Sequence, residues 1–144
     1  LHVHAYLHEG VAGVVNNIAA YYKHSMELLK PDIWNDLFYR PGPILTKGKD
    51  EPPTHYRQGA DVTNSLVANG CDIEGNVENS ILFRGVKVAR GAVVRNSIVM
   101  QNGVIGPGSV LDNCILDKEV EIRAEQQLRG AADVPFVAVK RKVI

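Results

Sequence analysis

Between Asn64 and Ile122 the apolar positions recur on two nested beats. Four phrases carry the longer one: Asn64-Ser65-Leu66-Val67, Asn79-Ser80-Ile81-Leu82, Asn96-Ser97-Ile98-Val99 and Asn113-Cys114-Ile115-Leu116, spaced 15, 17 and 17 residues apart. The shorter beat is about six residues, led by Val88, Val94, Met100, Ile105, Leu111, Leu116 and Ile122. Four residues after each of the first six leaders comes a small or apolar partner: Ala92, Ile98, Val104, Ser109, Ile115, Val120. Nested periods of this kind predict a solenoid, in which six residues form a flat side and three sides form a triangular coil. The leaders then stack inside the prism, where each fully buried aliphatic side chain contributes roughly 1.5–3 kcal/mol. Asn tolerates left-handed backbone better than most residues, and stacked Asn side chains bond to one another, so the Asn column is placed at a corner. A β-sandwich would instead show irregular spacing and polar-out alternation.

Outside the repeat the pattern changes. From His2 to His8 the chain alternates, with Val3, Ala5 and Leu7 on one face, as in a half-buried strand. Residues 17–29 read as a helix capped by Asn16 or Asn17, with Ile18, Ala19, Tyr22, Met26 and Leu29 as its apolar stripe and Pro31 as its stop. Asp32 is then placed to cap a short helical turn carrying Ile33, Trp34, Leu37 and Phe38, with Trp34 in a packing role. Pro41, Pro43, Pro52 and Pro53 exclude long regular structure from the next segment. That segment reads as a linker lying over the open edge of the first coil. After Ile122 the repeat fades, and residues 134–144 alternate again as a last strand whose Lys140, Arg141 and Lys142 deter strand addition. The organisation expected is thus a strand and helix over 1–30, a Pro-rich linker over 31–63 and a solenoid over 64–144.

Composition narrows the function. The chain has 144 residues, and its 16 Lys and Arg balance 16 Asp and Glu, so no net field draws it to nucleic acid or membrane. No apolar run is long enough to span a bilayer. Leu1 opens directly into the alternating run, as in a piece of something longer. Cys71 and Cys114 stand 43 residues apart without metal-ligand spacing. They read as small buried or corner residues of a reducing, cytoplasmic compartment. His2, His4 and His8 share one face but lack a carboxylate or Cys at ligand spacing, and read as a polar strand face. All five His precede residue 64, so the coils lack the His that an acyltransferase uses as general base and the three that a zinc site needs. The Thr residues, 46, 54 and 63, also precede the coils, which excludes an ice-binding Thr row. No Gly-rich phosphate loop, Ser elbow or paired-carboxylate set is present. The coils read as scaffold, assembly surface or regulatory module.

Helix, linker and coils together resemble the C-terminal part of the ADP-glucose pyrophosphorylases, the glucose-1-phosphate adenylyltransferases of glycogen and starch synthesis. The resemblance covers nearly the whole chain. It rests on Tyr21-Tyr22 through Leu29, Tyr39 through Ile44, Pro52-Pro53, Asn64 through Cys71, Val104 through Gly108, and Ile115 through Val120. It implies a mainly β fold, a left-handed parallel β-helix of hexapeptide repeats, preceded by the last strand and helix of an α/β nucleotidyltransferase domain. Catalytic members carry Trp-Arg-Asp-Val-Gly-Thr before the helix, with the Asp on metal and sugar phosphate. Here that stretch is Ala12-Gly13-Val14-Val15-Asn16-Asn17, and Val14 has no oxygen to offer a hard cation. The resemblance is therefore to the GlgD-type regulatory subunit, with the C-terminal domain of an active adenylyltransferase as the alternative. It implies no cofactor and no catalytic or metal residue in this stretch, magnesium on the catalytic partner, and a GlgC-type subunit or a second copy as partner. It also implies a phosphorylated effector, for which Lys47, Arg57, Lys140 and Arg141 are the candidate anion ligands.

Overall fold

The computed structural model describes every residue except 9, 40, 41, 43, 46 and 47. Among the described residues, fifteen short strands wind as a parallel β-solenoid with three sheets as its faces. The first face stacks β1 (His55–Tyr56), β4 (Asp72–Ile73), β7 (Lys87–Val88), β10 (Val104–Ile105) and β13 (Glu121–Ile122). The second stacks β2 (Asp61–Thr63), β5 (Asn76–Glu78), β8 (Val93–Arg95), β11 (Val110–Asp112) and β14 (Gln127–Arg129). The third stacks β3 (Leu66–Val67), β6 (Ile81–Leu82), β9 (Ile98–Val99), β12 (Cys114–Leu116) and β15 (Phe136–Ala138). Every pairing is parallel, which excludes the antiparallel sandwich. β1 and β2 fall inside the stretch read from sequence as linker.

The interior follows the six-residue beat. Ile73, Val77, Leu82, Val88, Val94, Val99, Ile105, Leu111, Leu116 and Ile122 are all at most 2% exposed and form one core. Met100 is the exception among the expected leaders: Val99 takes the interior place and Met100 turns outward under a helix. The sequence beat slips there because the third face is apolar on both sides, so its polarity does not mark inside from outside. Val104, four residues after Met100, points outward and is 36% exposed.

The corners obey backbone chemistry. Asn64, Asn79, Asn96 and Asn113 adopt φ of 41°, 46°, 47° and 53°. Asn64 Nδ2 donates to Asn79 Oδ1 (2.9 Å), Asn79 Nδ2 to Asn96 Oδ1 (2.7 Å), and Asn96 Nδ2 to Asp112 Oδ1 (3.0 Å). Just inside runs a hydroxyl column. Ser80 Oγ donates to Glu78 O and accepts from Ser97 N, and Ser97 Oγ donates to Arg95 O and accepts from Cys114 N. Cys114 occupies the next place in this column, where burial pushes its thiol up to about 11. Cys71 is buried too, and both thiols are free.

α1 (Ile18–Glu27) lies across the third face, its first turn capped by Asn17 Oδ1 accepting from Ala20 N at 2.7 Å. Tyr22, with Tyr21, Met26 and Leu29, packs on the outward row Ile81, Ile98 and Ile115. Tyr22 Oη donates to Asn96 O (2.5 Å) and lies 3.1 Å from Asn113 Oδ1. Pro31 does not merely stop α1: it is the first residue of α2 (Pro31–Phe38), whose N-cap is Lys30 rather than Asp32. A Pro suits that position because its missing N–H has no helical partner there. Trp34 packs with Phe38 and Tyr39, at ring-centroid distances of 6.1 and 5.1 Å.

Two expectations fail. Residues 2–8 form no strand, and Val3 and Leu7 are 85% and 81% exposed. A two-faced alternating run stays a strand only against a neighbour, and no described strand pairs with it. The described linker residues also leave the first coil open. Pro52 O accepts from Gly70 N, and Thr54 Oγ1 donates to Ala68 O, which ties 52–54 to the second coil. Ile44 and Leu45 stay exposed.

Candidate functional site

The cationic candidates separate. Arg57 follows β1 on the first coil, and its guanidinium grips Asp72 of the next coil through Nε–Oδ1 (2.6 Å) and Nη2–Oδ2 (2.5 Å). This holds the Asp72 carboxyl below the usual carboxylate range. Arg141, at φ 59°, is paired as well: its Nε donates to Glu119 Oε2 at 2.5 Å and depresses that carboxyl. Lys140 is exposed and has no carboxylate at ion-pair distance among the described residues. Lys47 lies outside the described residues. Arg57 and the Lys140–Arg141 pair sit at opposite ends of the solenoid, five strand spacings apart, or roughly 24 Å. They do not converge on one anion.

A different cluster gathers around Lys140. The corner before the first face is a stack of turns in which Asn69 O accepts from Gly85 N (3.3 Å), Arg84 O from Asn102 N (3.0 Å), Gln101 O from Glu119 N (2.9 Å) and Lys118 O from Arg141 N (3.0 Å). Asn69, Arg84, Gln101, Lys118 and Lys140 therefore form one outward column. Arg84 and Lys118 also lack a carboxylate at ion-pair distance among the described residues. The buried Oε1 of Gln101 between them has no hydrogen-bond partner. Sequence reading missed Arg84 and Lys118, although their positions on either side of Gln101, 17 residues each way, repeat the coil period. Such a column can bind an anion through charge-assisted hydrogen bonds. It contains no nucleophile or general base.

The first face carries a shallow groove of about 560 Å³ over Ala89, Val104 and Gly106, bordered by Arg57, Asp72, Glu74, Lys87, Glu121 and Arg123. Its three cations and three carboxylates leave it without net charge. His55, read from sequence as lying before the coils, is on β1, and its Nδ1 is 3.6 Å from Asp72 Oδ1. The solenoid therefore does carry one His, but it is exposed, and the carboxylate beside it is held by Arg57. Among the described residues no three His, Cys, Asp or Glu side chains are grouped to hold a metal ion. No described helix is long and apolar enough to cross a membrane.

Val14 lies three residues before the α1 cap and is 73% exposed. Beside it a mainly apolar cleft of about 460 Å³ runs between the start of α1 and the last coils, lined by Val15, Ile18, Tyr21, Met100, Ile115, Asp117 and Val137 among others.

Residues 52–132 match the family model described as GlmU-like, C-terminal hexapeptide. The chain is 46% identical over 135 residues to the glycogen biosynthesis protein GlgD of Bacillus subtilis (strain 168), covering 94% of this chain and 39% of that protein. It is 60% identical over 70 residues to GlgD of Geobacillus stearothermophilus, covering 49% of this chain and 20% of that protein. Against the glucose-1-phosphate adenylyltransferase of Bacillus anthracis it is 33% identical over 135 residues, covering 94% and 36%. The chain thus spans about two fifths or less of the length of these relatives.

Proposed function

The chain belongs to the GlmU-like C-terminal hexapeptide family, and from that footing we propose that it is the C-terminal, assembly and regulatory part of a GlgD-type subunit of glucose-1-phosphate adenylyltransferase. The complex joins ATP and glucose 1-phosphate into ADP-glucose and pyrophosphate for glycogen synthesis, with magnesium on the catalytic, GlgC-type subunit in the cytoplasm. The observation that carries this reading is the 46% identity to a GlgD over 94% of the chain. Val14 supports it: at the position where the resemblance puts a metal-binding Asp, the side chain has no oxygen. The second reading is the same region of a catalytic adenylyltransferase, which the 33% identity to that enzyme over the same length favours.

The regulatory half of the proposal places a phosphorylated effector at the corner of Lys140, Lys118 and Arg84. Arg57 and Arg141 are held by Asp72 and Glu119 and are not free ligands for it. In the test, the full-length protein that carries this chain is assayed for ADP-glucose formation alone and mixed with a GlgC-type subunit. The expected result is silence alone and, in the mixture, a changed rate or effector response that Lys140→Ala weakens. Robust activity alone overturns the regulatory reading in favour of the catalytic one.

A further inference from the structure

We propose that the second face of the solenoid docks a second copy of this chain. The two copies lie face to face and antiparallel, about a two-fold axis that runs parallel to the strands between β8 and β11. Val77, Val94 and Leu111 point into the prism, so their strand neighbours point out in two rows. The registers put Glu78 beside Arg95, Arg95 beside Asp112, and Asp112 beside Arg129. The charges of that row alternate: negative, positive, negative, positive. The other row is Asn76, Val93, Val110 and Gln127, two valines between two amides.

Such an axis reverses the order of the coils and keeps each row facing the same row of the second copy. Reversal turns the charge row into its complement: Glu78 meets the second copy's Arg129, and Arg95 meets its Asp112. The other row is symmetric under the same operation. Val93 and Val110 meet across the axis with Asn76 and Gln127 outside them, an apolar centre within a polar rim. Within one copy Arg95 and Asp112 are already 3.5 Å apart through Nη2 and Oδ2. Glu78 and Arg129 are exposed and have no ion-pair partner among the described residues, so they are free to pair across the axis.

Other arrangements do not match. About an axis along the solenoid each row faces the other, and Val93 and Val110 press on Arg95 and Asp112, which strips those charges of water without pairing them. The antiparallel operation on the first face, about an axis between β7 and β10, sets Asp72 against Glu121. The third face is covered by α1. Four strands of three residues make a small patch, so the contact is weak and adds to other contacts by raising their effective concentration. It deepens the assembly half of the proposed function and rests on it only for its role. Self-association is read on the chain itself without an enzyme assay, so failure of one is distinguishable from failure of the other.

The experiment is sedimentation equilibrium of the chain and its variants, each checked for fold by circular dichroism, at concentrations up to about 1 mM as a weak contact requires. The wild type is expected to associate reversibly, and less so as added salt screens the charge row. Glu78→Arg and Arg129→Glu, both at exposed positions, each set like charges against each other twice in a pair of copies. Either is expected to raise the dissociation constant at least about tenfold. The double variant Glu78→Arg/Arg129→Glu again opposes unlike charges across the axis, and is expected to return to within about threefold of the wild type. Lys87→Glu, on the first face, is expected to leave association unchanged. A wild type monomeric at every concentration overturns the proposal. So does association that neither single reversal weakens, that the double variant fails to restore, or that Lys87→Glu weakens as much.

Discussion

Asn96 shows how much one residue type does here. Its backbone is left-handed at φ 47°, its amide donates to Asp112 and accepts from Asn79, and its carbonyl receives the Tyr22 hydroxyl. Asn96→Ala loses both amide bonds and leaves a Cβ in a left-handed conformation, which costs roughly 1–2 kcal/mol, without the polar side chain that lets Asn adopt it, and the lost bonds add about 0.5–1.5 kcal/mol each. Asn96→Gly loses the same bonds without the backbone strain. Urea unfolding should therefore rank wild type above Gly above Ala. If Ala and Gly unfold together, the left-handed corner is not what the Asn is there for. This much was legible in the sequence, because an Asn-Ser phrase returning every 15 or 17 residues ahead of two aliphatics fits a corner better than any strand interior. The same phrases also marked Cys114 as a stand-in for Ser.

At the scale of elements, α1 depends on the solenoid more than on its own sequence. It is ten residues long with no acidic residue in its first turn, and isolated helices of that length are marginal in water. Ile81, Ile98 and Ile115 give it an apolar bed, and Tyr22 pins it there. Burial, with the nearby Asp112 carboxylate, pushes the Tyr22 phenol up to about 12 from its ordinary 10.0. The folded state thus favours the neutral phenol. Its contribution is complete below pH 10 and drains away as the pH rises from there to about 12. Tyr22→Phe should cost about 1 kcal/mol near neutral pH and remove that part of the alkaline loss, both readable from thermal melts across the pH range. An unchanged alkaline limb in the variant would mean that other groups govern it. The helix itself was visible from its apolar stripe and its Asn cap. The failed strand at residues 2–8 was equally well patterned, but alternation specifies a face and supplies no partner. Met100 was misplaced for a related reason, since neither polarity nor period says which side of a doubly covered sheet is the inside.

For the molecule as a whole, stability is a sum over neighbouring coils, and two ion pairs tie the outermost ones. Arg57–Asp72 joins the first coil to the second, and Glu119–Arg141 joins the last turn to the one before it. Both carboxyls are held below their ordinary values, so their help is complete above the unfolded values of 3.8 and 4.5 and is lost as the pH falls through the lower folded ones. Acid should therefore fray both ends first. Hydrogen exchange at about pH 3 is expected to speed up over 55–63 and 136–144 before it does so over 92–116. Uniform loss along the solenoid would show that the pairs do not hold the ends. None of this pairing was evident in the sequence, where Arg57 and Arg141 stand out by charge alone. Their partners lie 15 and 22 residues away in sequence and are neighbours only once the coils are stacked.

One irregularity has a practical side. Between β14 and β15 the chain leaves the prism over residues 131–134, where Ala131 and Val134 bond only to each other's backbone, and it then returns with Phe136 opposite Cys114. The ladder tolerates this detour, so register is stored in the strands and not in the length of what joins them. Loop-closure entropy grows only as the logarithm of length, about 0.6 kcal/mol for each doubling. A peptide tag, a dye-bearing cysteine or a small reporter domain grafted between Ala132 and Asp133 would ride outside the prism and leave the coils in step.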